Sequence, residues 1–571
     1  MKIRRRRNST EKVMDRISVL PKTILHDILG RLPDKDAAKT SVLSKSWSET
    51  WFSFPVVAAW SKDFFNMPDL QLSPEDPLWL SRLDMFIGYV SKRLRRLHDQ
   101  GLAVKELKLK MKYISDKMLV SHYHHLDEWI QMASESGVEV LGLHLALSLD
   151  KFYNLPLCLV EAKSLTTLVL TGGIRLDPAF LNHSLKFFSV RKLLFHSILL
   201  GDERVMEHFI SHCPLVEYLT LIHCLPYKPS SVGDPPGSRA HYVKSLSLHG
   251  LQKLKQVDVQ GIEEIYIDAL NLENLRYAAR IWDASKLNLS SYKNLRRLSL
   301  CFVRRADMWL LERLPKIPFL ESLTLKDCSL SERINIPGPQ LKFFKLLNCP
   351  NLKEVNIDAP NLLSCEYFGK DEPVISFRGI SNQLEVNARI HMDHQDVDRL
   401  RQFIQNIEPQ EVLTSLSLCI IPPYSIIESL ATLPGSSSPP TIKHMQLCSF
   451  SPRQTQYFPV MNWLLSSCFP ETISFSLNYS FNMREFMVYF YEMLMGSKKG
   501  ECYCFSRGPE CWWHGLKVVK ITHLERTYEN VEDLKAMLNA LPFADNYEEE
   551  FISFTLELGK GGSDGQNLDS I

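Results

Sequence analysis

Cys502, Cys504, Cys511 and His514 lie in one short stretch and offer the four soft donors that a tetrahedral zinc site takes. The spacing argues against that chemistry, because the first pair is C-x-C and no C-x₂-C pair is present. His122, His124 and His125 share a helical segment without a clear carboxylate to orient a base or complete a metal set. No P-loop, G-x-S-x-G, H-E-x-x-H or Gly-rich dinucleotide turn occurs. With 24 Gly in 571 residues, loops that cradle phosphate are also unsupported. Pairs of Asp and Glu exist, but without a pocket they specify no reaction. No catalytic residue, metal or cofactor is therefore assigned. The run Arg4-Arg5-Arg6-Arg7, with Lys2, suits a nuclear localisation signal or a phosphate contact, and equally a solvated tail.

The elements that would position any site must come from the rest of the chain. It has 66 Lys+Arg against 65 Asp+Glu, a net charge of +1. That balance excludes whole-chain attraction to nucleic acid or an anionic membrane, but not a local basic patch. The 13 Cys are an odd number, scattered rather than framed, so reduced thiols are expected in place of a disulfide scaffold. Met1-Lys2-Ile3-Arg4 opens like a signal peptide, but the polar Asn8-Ser9-Thr10-Glu11-Lys12 follows where an apolar core is needed. The most apolar run, Val138 to Leu149, is too short for a membrane span of ~20 residues. A soluble intracellular protein of the nucleus or cytoplasm is expected.

Leucine accounts for 84 of the 571 residues, and its spacing carries the information. The template L-x-x-L-x-L recurs at Leu165/Leu168/Leu170, Val216/Leu219/Leu221, Val243/Leu246/Leu248, Leu295/Leu298/Leu300 and Leu320/Leu323/Leu325. It continues at Leu341/Phe344/Leu346, Leu352/Val355/Ile357, Leu413/Leu416/Leu418, Ile442/Met445/Leu447 and Leu516/Val519/Ile521. Weaker copies start at Val104, Val138, Val190, Ile262, Leu272 and Leu362. From Val138 the starts step by 27, 25, 26 and 27 residues, and from Leu272 by 23, 25 and 21, within the ~20–29-residue period of leucine-rich repeats. Around 341, 352 and 362 the steps shrink to about ten, which predicts strand following strand through a turn without a helix. The last two apolar residues of each copy are two apart, so they point to one side of a strand. One strand cannot bury that face alone, whereas many stacked in parallel can. Cys224, Cys328 and Cys349 stand at the repeat's usual Asn/Cys position and read as buried structural thiols. Cys301, Cys419 and Cys448 follow the last strand leucine directly and by alternation should be accessible on the inner curve.

The first sixty residues differ. Ile24 and Ile28 with Leu25, Leu29 and Leu32 make an amphipathic stripe, Pro33 interrupts it, and Asp34 and Ser44 can cap two further short helices. Leu20-Pro21, Ile24, Ile28-Leu29, Leu32-Pro33, Lys35-Asp36-Ala37, Thr40-Ser41-Val42-Leu43-Ser44-Lys45, Trp47 and Trp51 closely resemble the F-box of plant F-box/leucine-rich-repeat proteins. Ser46 departs from the Arg that the family often has there. The resemblance implies docking onto the Skp-type adaptor of a cullin–RING ubiquitin ligase. The adaptor-facing candidates are Leu20, Pro21, Ile24, Ile28, Leu29, Leu32, Pro33, Val42 and Leu43, with Trp47 and Trp51 available to hold the module's own core. Packing within the module is the alternative for each apolar residue. Cys511-Trp512-Trp513-His514-Gly515-Leu516 to Ile521 is similar to the FBD region of such proteins, which gives Cys511 and His514 a structural role in place of zinc ligation.

The expected fold is α/β: an N-terminal helical F-box, an irregular leucine-rich-repeat solenoid with parallel strands on its concave face, and an α+β C-terminal cap. The expected boundaries are a disordered basic tail 1–14, F-box 15–60, helical connector 61–100, repeats 101–480, FBD-like cap 481–558 and a disordered tail 559–571. The function implied is the substrate-recognition subunit of an SCF-type (Skp–cullin–F-box) ubiquitin ligase, non-catalytic, binding an unidentified protein substrate through outward strand residues. Those candidates are Tyr218, Thr220, Arg297, Ser299, Ser322, Thr324, Lys326, Phe343, Lys345, His444 and Gln446. The alternative is a leucine-rich protein-binding scaffold without ligase function.

Overall fold

The structure is a computed structural model that describes residues 17, 20–32, 34–64, 77–111, 123–146, 152–227, 243–279, 286–289, 293–379, 383–391, 399–421, 440–448, 453–476, 481–496, 516–523, 526–528, 530–540 and 551–558. It divides into two compact units, one of Met1–Glu273 with Ser285–Ser291 and one of Asn274–Ala284 with Tyr292–Ile571.

The first unit opens with three short helices. Helix α1, Lys22–Arg31, starts behind Pro21 and ends as Leu32 turns extended ahead of Pro33. Helix α2, Asp34–Lys39, tightens into a 3₁₀ turn at Thr40–Val42. Helix α3, Lys45–Phe52, begins where the Ser44 hydroxyl accepts the Trp47 N–H at 3.2 Å. Leu25, Leu29, Ala37, Trp47, Trp51 and Phe54 close a small core.

The chain then enters a strand, Val56–Trp60, in parallel register with Glu106–Met111. The repeat sheet thus begins inside the segment expected to be F-box, ahead of the expected start at 101. Val57 and Ala59 alternate inward, but Ala59 stands where the template requires a large aliphatic residue, so the pattern is silent there. The sheet continues in parallel through Val140–Leu145, Thr167–Gly172, Lys192–His196, Tyr218–Ile222 and Gln256–Gln260. Its inward rows run Leu107, Leu141, Leu168, Leu193, Leu219, Val257 and Leu109, Leu143, Leu170, Phe195, Leu221, Val259, all buried. Helix α4, Pro77–Asp99, and later helices such as Tyr123–Glu135 and Arg204–Ser211 return the chain across the back. Each copy removes about three large aliphatic side chains from water, at ~2 kcal/mol apiece.

The second unit repeats this plan. Parallel strands Asn274–Ala278, Arg297–Cys301, Ser322–Lys326, Phe343–Leu347, Ser364–Gly369, Glu385–His391, Leu416–Ile421, Thr441–Leu447 and Phe469–Ser476 follow in register. The sheet then changes direction: Phe551–Leu558 pairs antiparallel with Phe469–Ser476, and Leu516–His523 antiparallel with Phe551–Leu558. With the helix Val531–Ala540 between the last two in sequence, these strands form the α+β cap expected at the C-terminal end.

Around residue 350, strand does follow strand through a turn, but consecutive strands belong to different sheets. Glu354–Asp358 pairs with Arg333–Pro337 and Val374–Arg378 in a back sheet, while Phe343–Leu347 pairs with Ser364–Gly369 in the main one. The copies starting at Val243 and Ile262 are likewise back-sheet strands, paired as Ser245–Leu248 with Glu264–Ile267. The main-sheet strand there is Gln256–Gln260, whose own copy of the template, Leu254/Val257/Val259, the sequence reading missed. The template marks only one-sided burial with period two, and both layers face a shared core, so both satisfy it.

The strands end alike. His223, Asp327 and Asn348 adopt positive φ of 52°, 51° and 53°, turning the following cysteine inward. Cys224, Cys328 and Cys349 are buried, and their thiols donate to carbonyls of the preceding strand, as Cys328 does to Leu300 at 3.3 Å. The structural reading of these three thiols holds. Accessibility of Cys301, Cys419 and Cys448 does not: all three are buried. Their short side chains are covered by what stands beside them, Ser299 at 3.8 Å from the Cys301 sulfur and the Cys419 and Cys448 sulfurs 2.9 Å from each other.

Candidate docking surfaces

Helix α1 carries two kinds of apolar residue. Leu25 and Leu29 face α3, while Ile24 and Leu32 face solvent. In the 3₁₀ turn, Val42 is 84% exposed and the adjoining Leu43 66%. Backbone geometry holds them out: the hydroxyls of Thr40 and Ser41 donate to Ala37 and Ala38 carbonyls at 2.7 Å, and the Leu43 N–H to Thr40 at 3.0 Å. The core of the module is complete without them. The ion pairs Lys39–Asp36 and Arg31–Asp27 beside this ridge are exposed and contribute little to stability.

Of the expected adaptor-facing residues, Pro21, Ile24, Leu32, Val42 and Leu43 are exposed. Leu20 and Ile28 are partly buried against the module core. Leu29 is a correction: it is 1% exposed and packs between the helices, because it lies four residues from Leu25 on the inner face of α1. Pro33 lies outside the described residues. Trp47 and Trp51 hold the core. Ile17, absent from the expected set, is 54% exposed and receives the Leu20 N–H on its carbonyl at 3.1 Å.

Two arginines of α4 hold the module. Arg93 of α4 is buried, donates to the Phe54 and Phe52 carbonyls at 2.7 and 3.3 Å, and lays its guanidinium 4.3 Å from the centre of the Trp51 ring. Arg96 stacks 3.4 Å from Phe52. Inside the module, His26 reaches the Thr50 carbonyl at 3.2 Å, and burial lowers its pKa.

The eleven expected substrate-facing residues all take outward positions on main-sheet strands, nine in the second unit and two in the first. In the second unit, Arg297, Ser322 and Phe343 are register neighbours, as are Ser299, Thr324 and Lys345. His444 and Gln446 stand on Thr441–Leu447, three intervening strands away. Burial lowers the pKa of His444. Tyr218 and Thr220 belong to the first unit.

Two domain profiles match the chain. The F-box domain matches residues 17–57, and the leucine-rich-repeat domain described as At1g61320/AtMIF1 matches 97–283 and 267–523. The chain belongs to the F-box/leucine-rich-repeat family.

Among relatives in Arabidopsis thaliana, At3g18150, named as an F-box/LRR-repeat protein, is 26% identical over 386 residues, covering 64% of this chain and 74% of the relative. The F-box/FBD/LRR-repeat protein At2g26030 is 27% identical over 274 residues, 46% of this chain and 53% of its own length. The FBD-associated F-box protein At5g27750 is 28% identical over 224 residues, 37% of this chain and 42% of its own.

In this F-box/leucine-rich-repeat chain, Cys502, Cys504, Cys511 and His514 lie outside the described residues, as does His122. His125 does meet a carboxylate, Glu128 at 4.0 Å one turn on, but Arg95 holds the same group at 2.7 Å. The sequence reading also missed Arg276, which is exposed on the outward face beside Ser299. Its copy of the template ends in Tyr277 rather than leucine, so it registered only weakly. No described helix is long and apolar enough to cross a membrane.

Proposed function

We propose that this chain is the substrate-recognition subunit of an SCF-type ubiquitin ligase. The F-box ridge binds a Skp-type adaptor, which links to the cullin–RING assembly, and the outward sheet face binds a protein substrate. In this reading the chain itself performs no chemistry. It holds the substrate near a recruited conjugating enzyme, and transfer is accelerated by proximity and orientation. The observation that carries the reading is the pair Val42 and Leu43, exposed beside a module whose own core is already closed. Large apolar residues held out by the backbone mark a protein interface.

The test is capture of purified Skp-type adaptor by the full chain. Wild type is expected to retain it, and Val42→Asp with Leu43→Asp to weaken retention at least tenfold, because two charges enter an apolar contact. The melting temperature of the variant should stay within a few degrees of wild type, since neither side chain contributes to the core. Failure of wild type to hold the adaptor would leave the scaffold reading in its place.

A further inference from the structure

Four successive strands of the second unit, Asn274–Ala278, Arg297–Cys301, Ser322–Lys326 and Phe343–Leu347, place cations on one face. Arg276, Arg297, Lys326 and Lys345 are exposed there, and no Asp or Glu takes an outward position on these strands. Hydroxyl groups of Ser299 and Thr324 lie between them in register. The whole chain is balanced at net +1, so this is local segregation of charge. Acidic groups appear at the margins. Glu366 on the next strand pairs with Lys345 at 2.5 Å, and Asp327, beyond the end of its strand, accepts from Asn348 at 2.5 Å. Arg297 and Lys326 make no ion pair among the described residues. Arg304 and Arg305 follow the second of these strands, both exposed.

We infer that this face binds an extended acidic segment of the protein substrate. The inference rests on the receptor reading above and names the chemistry of its substrate. Arg297 and Lys326, without an ion pair among the described residues, and the hydroxyl donors Ser299 and Thr324 complement carboxylates, while Phe343, 43% exposed at the edge of the patch, offers an apolar contact. Four strands ~4.8 Å apart span about 14 Å, the length of roughly four extended residues. The shared positive field would raise the association rate and make binding weaken with salt.

The test uses the full-length chain and three fluorescein-labelled peptides with the pattern Gly-X-Leu-X-X-Leu-X-Gly, where X is Glu, Gln or Lys. Fluorescence anisotropy should show the Glu peptide bound at least tenfold more tightly than the Gln peptide, with the Lys peptide weakest. Arg297→Glu with Lys326→Glu should abolish that preference. Lys253→Glu with Lys316→Glu, exposed lysines off the sheet face, should preserve it. Adaptor capture and melting temperature are measured on the same proteins. Equal affinity for the Glu and Gln peptides, or a preference that survives the double reversal, overturns the acidic-segment inference while adaptor capture stands. Loss of adaptor capture by wild type overturns the receptor reading instead.

Discussion

At the residue scale, burial governs the sulfur chemistry. Cys213, Cys224 and Cys365 are enclosed in apolar surroundings, and burial pushes each thiol up to about 12 from an ordinary value near 9.0. Below pH 9 the thiols are protonated in folded and unfolded chains alike, and their stabilising contribution is complete. Between about 9 and 12 the unfolded chain gives up protons that the folded chain keeps, so stability falls as pH rises. At pH ~10.5 that loss is roughly 2 kcal/mol per thiol. Thermal melting should show a decline from pH 8 to pH 10.5 that is shallower when Cys213, Cys224 and Cys365 are all Ala. An equal decline in both proteins would contradict this origin. Asp327 and Asn348 are of types that tolerate positive φ, a turn signal that the sequence reading did not use. The shielding of Cys301, Cys419 and Cys448 was not legible, because strand alternation says which way a side chain points but not what lies over it.

At the element scale, α4 is where local pattern gave way to tertiary contact. Its apolar face, including Trp79, Leu83, Phe86, Val90 and Leu94, follows from helical spacing. The place of Arg93 among those residues does not. A buried arginine is costly without partners, and here its two terminal nitrogens donate to the carbonyls of Phe52 and Phe54 under the Trp51 ring. Arg93→Ala is expected to destabilise the junction by about 2–4 kcal/mol, as two charge-assisted hydrogen bonds and a stacked contact are lost. Limited proteolysis should then cut first within residues 20–60. Unchanged protease resistance and melting would show that the clamp is dispensable. Back-sheet strands such as Glu354–Asp358 were legible as strands but not as a second layer, since one period-two pattern serves both layers.

At the scale of the whole molecule, the F-box and the repeats are not separable at the boundary the sequence suggests. Val56–Trp60 is a sheet strand, with Val57 opposite Leu107 and Ala59 opposite Leu109. Removing residues 1–54 leaves that strand paired. Removing residues 1–60 strips it and exposes the edge of Glu106–Met111, a row of unpaired backbone groups prone to pairing with another chain. The shorter truncation should therefore stay monomeric by size-exclusion chromatography with light scattering, and the longer one should form aggregates. Equal behaviour of the two would remove the strand from any role in capping the sheet.

The sequence by itself determined the repeat and the F-box, because leucine spacing and helical stripes are local properties written at fixed intervals. It also placed three cysteines in the core from their position in the repeat. Only the tertiary structure decided which copy belongs to which layer, which apolar residues of α1 remain exposed and which cations share a face. Layer and shared face depend on strand register between segments 20 or more residues apart, and exposure on α1 depends on its packing against the rest of the module, neither of which a local pattern encodes.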